Sequence, residues 1–479
     1  MMQSSTSPTT KKKKNLTCLL LFTASLFTLL FFISTTHTSQ QHPLPTHPKR
    51  LLLHNHHPNS PSPPPPPPPP SVAYFISGAD GDAHRLLRLL HSIYHPNNHY
   101  LLHLDRTAHH SQRINLVISI QAIPAFRFFD NVNVVGNPDF ANPRGSSALS
   151  SVLRGAAILI RYGRSWDWFV HLSAQHYPLV TQDDLLHLLS FQPKELNFVN
   201  HSSYIGWRES RRLKPIVVDP GLYLSENSDV FYGTQKRLLP SAFRLFTGFS
   251  FADLVSSLDI KTMQSCKKKV SADQLEYQST CHHLLKEKPK IFLKYLRTKN
   301  PFEIDIGPGS ASAILSRKFI EFCILGSDNL PRTVLMYLSN TLSARANYFQ
   351  TVLCNSREFK RTVVNHNLQY SSGDEFTNSE QRRIGTKDFN QLIQSGAAFA
   401  SEFTLDDPVL DQIDREVLNR KPGRIAPGGW CLGNDDEDPC KVWGDSDILR
   451  PGPGARRLEK LMVKLLSNDT LLNQRCQYE

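Results

Sequence analysis

The 479-residue sequence lacks the short motifs that mark several common classes of binding protein. It has no Arg-rich tract and no zinc-finger or recognition-helix spacing. Its formal charge of +12 and pI near 9.3 therefore favour anionic sugars or nucleotide phosphates over nucleic acid as ligands. No GxGxxG follows a predicted strand, so the dinucleotide-binding fingerprint is missing. The cysteines lack paired CxxC spacing, so a structural zinc site is not indicated.

Long apolar runs are also scarce, apart from one near the amino terminus. Residues 16–33 are 18 residues without a charge, and four lysines precede them at 11–14. This length suits a marginal membrane span, and the lysines predict a cytoplasmic amino end. We expect a tail at 1–15, a signal anchor at 16–33 and a lumenal remainder. A cleaved signal peptide, with small residues at 34–38, is the alternative.

Proline is concentrated between this run and the rest of the chain. Residues 34–71 are rich in His, Pro, Ser and Thr and end in an unbroken proline run at 63–70. Such a run adopts polyproline II and predicts a stiff stem. A ligand for a proline-recognising module is the alternative, which a lumenal position disfavours. Because a globular pattern begins at residue 72, a proline-rich structural protein of the cell wall is also disfavoured.

Strand and helix patterns alternate after the stem. Strands are predicted at 72–77, 100–104, 132–135, 168–172 and 196–199, and helices at 83–93, 147–161 and 182–189. The alternation predicts an α/β domain with a mixed, mainly parallel sheet.

Ligands of open α/β sheets bind beyond the carboxyl ends of the strands, where this chain has several polar residues. Ser77 and Gly78 lie in the first strand-to-helix turn, and Asp105 follows the second strand. We predict that these residues bind a donor nucleotide; an ordinary turn cap is the alternative for Asp105. Further candidates lie at the carboxyl end of the strand at 168–172, with packing as their alternative: His171, Ser173, His176 and Tyr177.

The cysteines and glycosylation sequons agree with a lumenal domain. Cys431 and Cys440 bracket a short acidic loop that a disulfide could close. Sequons at 200–202 and 468–470 fit the same compartment.

Six stretches, taken in order, resemble one known family. They are residues 74–105, 166–179, 214–225, 326–337, 348–355 and 426–433. They are similar to plant members of glycosyltransferase family 14, the core-2/I-branching β-1,6-N-acetylglucosaminyltransferase-like family. Its plant branch resembles β-glucuronosyltransferases of arabinogalactan. The resemblance covers nearly all of the predicted lumenal domain, residues 72–479, except for an atypical insert at 249–308.

This resemblance implies a single-pass type II Golgi membrane protein with a GT-A-like fold. It implies inverting transfer from a UDP-sugar, with glucuronic acid as the expected sugar and N-acetylglucosamine as the alternative. The acceptor would be a β-galactan of arabinogalactan or another glycoprotein. No metal is expected, because basic side chains neutralise the diphosphate and a glutamate deprotonates the acceptor.

Several residues expected at the reacting centre are altered in this chain. The position of the general base carries Ala346, which cannot accept a proton, so the catalytic residue is unknown. The phosphate-binding arginine matches Arg382, with Arg383 as a one-residue alternative, and its lysine partner is replaced by Glu402. These replacements favour, as the alternative function, an impaired relative that binds a glycan or a partner transferase.

Three further departures accompany these replacements. His176 stands where an aspartate is usual, residues 143–145 replace a Tyr-Lys-Gly run, and Ser312 replaces a tryptophan. Residues 249–308 separate two halves of one motif of the family. A mispredicted or alternatively spliced exon would explain these residues, and a genuine surface insertion is the alternative.

The predicted acceptor side contains three candidates. Trp207 offers an aromatic platform, Arg208 a cation for an acidic glycan, and Asp219 an acceptor for sugar hydroxyls. Core packing is the alternative for Trp207, and an ordinary solvated charge is the alternative for Arg208.

Overall fold

The computed structural model describes the folded part of the chain. The described residues are 68–162, 165–203, 205, 213–223, 229–248, 312–370, 384–434, 437–467 and 476. They belong to one compact unit, residues 67–479. The predicted anchor, most of the stem and the insert lie outside them. None of the helices within these ranges combines the length and the apolar character that a membrane span requires.

The described residues form helices and strands in alternation. The helices are α1 (Ala83–Ser92), α2 (His110–Ala122), α3 (Pro124–Phe129), α4 (Ser147–Arg161), α5 (Gln182–Ser190), α6 (Arg317–Ile324), α7 (Asn329–Leu338), α8 (Arg345–Asn355), α9 (Phe389–Gln394), α10 (Pro408–Glu416) and α11 (Pro453–Leu466). The strands are β1 (Val72–Gly78), β2 (His99–Leu104), β3 (Val132–Val134), β4 (Trp168–Ser173), β5 (Tyr177–Pro178), β6 (Asn197–Val199), β7 (Pro215–Val218), β8 (Phe231–Lys236), β9 (Ala313–Ser316), β10 (Val363–Val364), β11 (Gln369–Tyr370) and β12 (Phe399–Ala400).

The central sheet has seven strands in the order β10-β6-β9-β4-β1-β2-β3. Its neighbours pair in parallel except β9, which runs antiparallel to β4 and β6. Two small sheets, β11-β12-β5 and β7-β8, lie outside it. The prediction of an α/β domain with a mixed, mainly parallel sheet is confirmed.

The sheet is covered on both faces, which explains its nearly continuous apolar strands. In β1, Tyr74 and Ile76 pack with α1, α2 and α5 on one face. Ala73 and Phe75 pack with α4, α6, α7 and α8 on the other face. Side chains alternate between the faces of a strand, so one apolar run contributes to two cores.

Each predicted strand and helix is present, and the ends differ by at most one residue. The patterns did not predict α2, in which Leu116 and Ile120 are buried while Ile114 and Ile118 are exposed. Apolar residues on both sides of this helix obscure its period. The predicted disulfide between Cys431 and Cys440 is present.

Strands β1, β2 and β4 end together, at an edge of the sheet that we call the carboxyl edge. It is marked by Gly78, Leu104 and Ser173. Strand β9 runs in the opposite direction and therefore begins there, so Ser312 lies at the same edge. Helix α4 follows β3 and starts on this side. The amino end of α8 lies nearby, because Ser343 N donates to the carbonyl of Arg144 (3.0 Å).

Candidate functional site

A serine and a histidine from neighbouring strands are paired at the carboxyl edge. Ser77 Oγ in β1 lies 2.9 Å from His171 Nε2 in β4. The ring of His171 also packs beside Phe75, with 5.6 Å between ring centroids. The predicted candidates Ser77 and His171 therefore lie together, and Gly78 follows them at the end of β1.

A second histidine connects the end of β4 to the start of β9. Ser173 N donates to His176 Nδ1 (3.0 Å), and Ser173 Oγ lies 2.7 Å from the same atom. Because a backbone amide only donates, Nδ1 accepts, and a neutral His176 carries its proton on Nε2. That nitrogen lies 3.0 Å from Ser312 Oγ and donates to it. Two residues that depart from the family pattern, His176 and Ser312, are thus hydrogen-bonded partners.

Both imidazoles are neutral at pH 7. Burial, reinforced by the nearby charge of Arg345, lowers the pKa of His176 to about 4. The same two causes lower the pKa of His171 well below its usual value. An aspartate at position 176 would bring a negative charge to this edge; the neutral imidazole does not.

Strand β2 contributes a third buried imidazole. His103 Nε2 accepts from the backbone N of Asp139 (3.0 Å), so a neutral ring carries its proton on Nδ1. That atom is buried and has no hydrogen-bond partner within the part of the chain that the structure describes. Burial lowers the pKa of His103. The Asp139 carboxylate pairs with Arg154.

Asp105 is held by its own loop. Its Oδ1 accepts from Thr107 N (2.9 Å) and Thr107 Oγ1 (2.7 Å), and its Oδ2 accepts from Ala141 N (2.6 Å). The side chain is 7% exposed. Asp105 therefore caps the turn that follows β2, which is the alternative given for it in the sequence.

Asp219 caps the start of α4. Its Oδ2 accepts from Ser147 N (2.7 Å) and its Oδ1 from Gly221 N (2.9 Å). A carboxylate is favourable at the amino end of a helix, where unpaired amides concentrate positive charge. Gly145 allows this approach, because a Cβ at that position would lie 1.9 Å from Asp219 Oδ2. Asp219 therefore shapes the loop before α4 as well as bordering the edge.

The position of the family's general base lies at the start of α8. Ala346 is 1% exposed, and its carbonyl accepts from Gly248 N (2.8 Å). The residue before it, Arg345, is partly exposed, and burial lowers the pKa of its guanidinium to about 10, so it remains charged at pH 7. No carboxylate among the described residues pairs with Arg345. Arg345 is not among the residues predicted from the sequence, although it lies next to the position of the base.

Glu402 borders the same edge but is turned toward solvent. It is exposed, and the next residue, Phe403, donates its backbone N–H to the carbonyl of Gln175 (3.2 Å), between Ser173 and His176. Solvent screens a carboxylate in this orientation. The exposure reduces the repulsion that Glu402 would otherwise exert on a bound phosphate.

Tyr177 belongs to the packing of the domain. It is 3% exposed, and its hydroxyl donates to Asp414 Oδ1 (2.5 Å). Arg420 and Arg88 contact the same carboxylate, at 2.5 and 2.8 Å. This network connects α1 and α10 to strand β5, which follows the carboxyl end of β4.

Glu358, a carboxylate that could replace the missing base, lies at the other end of the sheet. It pairs with Lys318 (3.0 Å), which lies two residues after Ser316, the last residue of β9. Ser316 is opposite Trp168, the first residue of β4. Glu358 is therefore too remote to act at the carboxyl edge.

A cavity of about 470 Å³ also lies away from this edge. Asp184 in α5 and the guanidinium-bearing residues Arg450 and Arg457 contribute to its lining. The start of α5 is near the amino ends of the strands, because Gln182 Oε1 accepts from Asn98 Nδ2 (3.0 Å) just before β2. The cavity does not belong to the candidate site.

One group of side chains within the described ranges has the spacing of metal ligands: His201, Cys354 and Cys476. The two cysteines form a disulfide, which the sequence patterns did not predict. In this state their sulfurs are not thiolates, and thiolates are the form in which cysteine binds metal.

Three predicted residues lie outside the described residues. They are Trp207, Arg208 and Arg382, together with the alternative Arg383. Their roles remain predictions.

Comparisons with known proteins agree on one family. The family model "Branch: Core-2/I-Branching enzyme" matches residues 72–258 and 253–393, and the two stretches meet inside the insert. The chain is 43% identical over 407 residues to "Beta-glucuronosyltransferase GlcAT14A" of Arabidopsis thaliana, covering 85% of this chain and 77% of the relative. It is 41% identical to GlcAT14B over 85% of this chain and 80% of that relative. For GlcAT14C the identity is 36%, over 85% of both chains. Both relatives carry the same enzyme name and come from the same organism.

Proposed function

Because the chain belongs to the Core-2/I-branching enzyme family, we propose that it is a β-glucuronosyltransferase with a GT-A-like fold. It transfers glucuronic acid from UDP-glucuronic acid to a β-galactan, such as that of arabinogalactan. The observation that carries this proposal is the 43% identity to GlcAT14A over 85% of the chain. The polar carboxyl edge supports it, because sugar nucleotides bind at this edge of α/β sheets.

The proposed reaction exchanges one bond at the anomeric carbon. An acceptor hydroxyl oxygen forms a bond to C1 of glucuronic acid, and the bond from C1 to the UDP oxygen breaks with inversion. Negative charge grows on the departing diphosphate, where cationic side chains stabilise it. We propose that Arg382 and other cations of the chain do this without a divalent metal.

Removal of the proton from the acceptor hydroxyl is the difficult step of this reaction for the present chain. The methyl group of Ala346 cannot accept it. Asp105 and Asp219, at the same edge, already accept hydrogen bonds from the protein through both oxygens. We therefore expect slower turnover than in a family member with a glutamate at this position.

A second candidate function follows from the same residue. A relative that binds a glycan or a partner transferase, without turnover, needs no base. Ala346 favours this alternative.

A donor sugar other than glucuronic acid, N-acetylglucosamine, is the alternative within the transferase proposal.

The test is release of UDP by the purified full chain. We expect release from UDP-glucuronic acid that requires a β-galactan acceptor, with less from UDP-N-acetylglucosamine. Addition of EDTA should leave the rate unchanged. A folded chain that binds galactan but releases no UDP above the acceptor-free control would contradict the transferase proposal and support the binding relative.

We propose further that the chain is a single-pass type II protein of the Golgi membrane, anchored by residues 16–33. The four preceding lysines support this orientation. In sealed microsomes, a carboxyl-terminal tag should resist protease until detergent is added. Digestion without detergent would contradict the proposed orientation.

A further inference from the structure

Arg345 is a cation that lies beside the position of the general base. It is the first residue of α8 and only partly exposed. No carboxylate pairs with it within the described ranges. By contrast, the buried guanidinium of Arg420 has the Asp414 carboxylate at 2.5 Å. A charge withdrawn from water without a partner is unfavourable, so the surroundings of Arg345 are suited to an anion from outside.

The neighbours of Arg345 do not oppose this anion. Its charge acts on the imidazoles of His171 and His176, and both are neutral. The adjacent base position is the uncharged Ala346. Relative to the family pattern, His176 and Ala346 each remove a carboxylate from this edge. The replacement of a lysine by Glu402 adds one, but that carboxylate is exposed to solvent.

The position suits a phosphate group. The site lies beyond the carboxyl ends of β1 and β4. The first amides of α8 are already used, since Ala346 N donates to Ser343 O (3.0 Å). A phosphate here would therefore be bound through the Arg345 side chain, whose planar guanidinium matches two phosphate oxygens.

We propose that Arg345 binds the diphosphate of a nucleoside diphosphate at the carboxyl edge, replacing the cation lost at Glu402. This inference rests on the proposed function, because it names a residue of the same donor site. The lost cation and the gained one border the same end of β4.

Calorimetry with the full chain tests the assignment, with UDP and uridine as probes. Arg345→Ala should weaken UDP binding by about 10- to 100-fold, the range of one charge-assisted hydrogen-bonding group. Uridine affinity should not change, because uridine has no phosphate. Arg345→Lys should recover part of the UDP affinity. Arg332→Ala, which removes an exposed arginine from α7, is the matched control and should bind UDP as the parent does.

The outcomes separate this inference from the proposed function. If the parent binds UDP and Arg345→Ala binds it equally well, the assignment of Arg345 is wrong while the donor site stands. Equal losses for UDP and uridine would also overturn it, since they would indicate a structural role. If the folded parent binds no UDP, the proposed function itself fails. Arg345→Gln provides a second neutral variant if Arg345→Ala does not fold.

Discussion

Arg345 and Ala346 lie side by side at the start of α8, and together they set the chemistry expected of this chain. Arg345 provides positive charge with which no carboxylate of the described residues pairs, and this favours binding of a donor diphosphate. Ala346 provides no atom that can take a proton, which disfavours the transfer step. Binding and turnover are therefore separable properties here, and single substitutions address each of them.

Turnover is expected to respond to a carboxylate at position 346. Ala346→Glu should raise kcat by about 100-fold or more, within the range assigned to a positioned general base. The affinity for UDP should change little. The measurement is acceptor-dependent release of UDP from UDP-glucuronic acid by the full chain.

Ala346→Gln is the matched control, because glutamine has the size of glutamate but does not act as a base. Equal rates for the two variants would show that the missing carboxylate is not the main defect. Thermal unfolding of both variants is needed as well, since position 346 is 1% exposed and a larger side chain must fit there.

At the scale of elements, the Asp414 carboxylate connects helices α10 and α1 near the candidate site. Asp414 in α10 accepts from Arg420 and from Tyr177 after β4, and it pairs with Arg88 in α1. Asp414 and Arg420 are 5% and 4% exposed. A buried pair contributes little net stability, but loss of one partner leaves the other charge without compensation.

Asp414→Asn should therefore lower the free energy of unfolding by about 3–5 kcal/mol. Asp411→Asn is the control, because Asp411 pairs with the same Arg88 at 2.6 Å but its side chain is 63% exposed. An exposed pair contributes about 0–1 kcal/mol. Urea unfolding of the full chain measures both. Similar losses in the two variants would contradict the role of burial.

At the scale of the whole molecule, buried histidines make stability depend on pH. Burial lowers the pKa of His91, His176 and His366 to about 4 and that of His95 to about 3. In the unfolded chain these rings take up protons below about pH 6.5. Acid therefore favours the unfolded state.

Stability should be fully present above about pH 6.5 and should fall as the pH decreases toward 4. Each histidine contributes a slope of about 1.4 kcal/mol per pH unit in this window. Denaturant unfolding at constant ionic strength, from pH 7.5 to 4.5, measures the slope. His366→Asn should reduce this slope by the contribution of one histidine. The variant should fold, because Asn keeps an acceptor for Leu368 N, which lies 2.9 Å from His366 Nδ1. A flat profile, or one that rises in acid, would contradict the assignment of neutral buried rings.

Local pattern was sufficient for much of this molecule. Buried parallel strands are short apolar runs, and helices such as α4 repeat their apolar residues every three or four positions, so both are readable from sequence. The disulfide between Cys431 and Cys440 spans nine residues and was equally readable. The bond between Cys354 and Cys476 spans 122 residues, and no local signal predicts such a pair.

The sequence by itself determined the family, the α/β class and the residues at the ends of β1, β2 and β4. The tertiary structure decided how those residues are used. Asp105 and Asp219 accept hydrogen bonds from backbone amides, and His176 bonds to Ser312 from a reversed strand. Within the ranges that the structure describes, no carboxylate pairs with Arg345. The physical reason is that family and strand pattern depend on residue type and spacing along the chain. Protonation, hydrogen-bond partners and uncompensated charge depend on which distant segments meet.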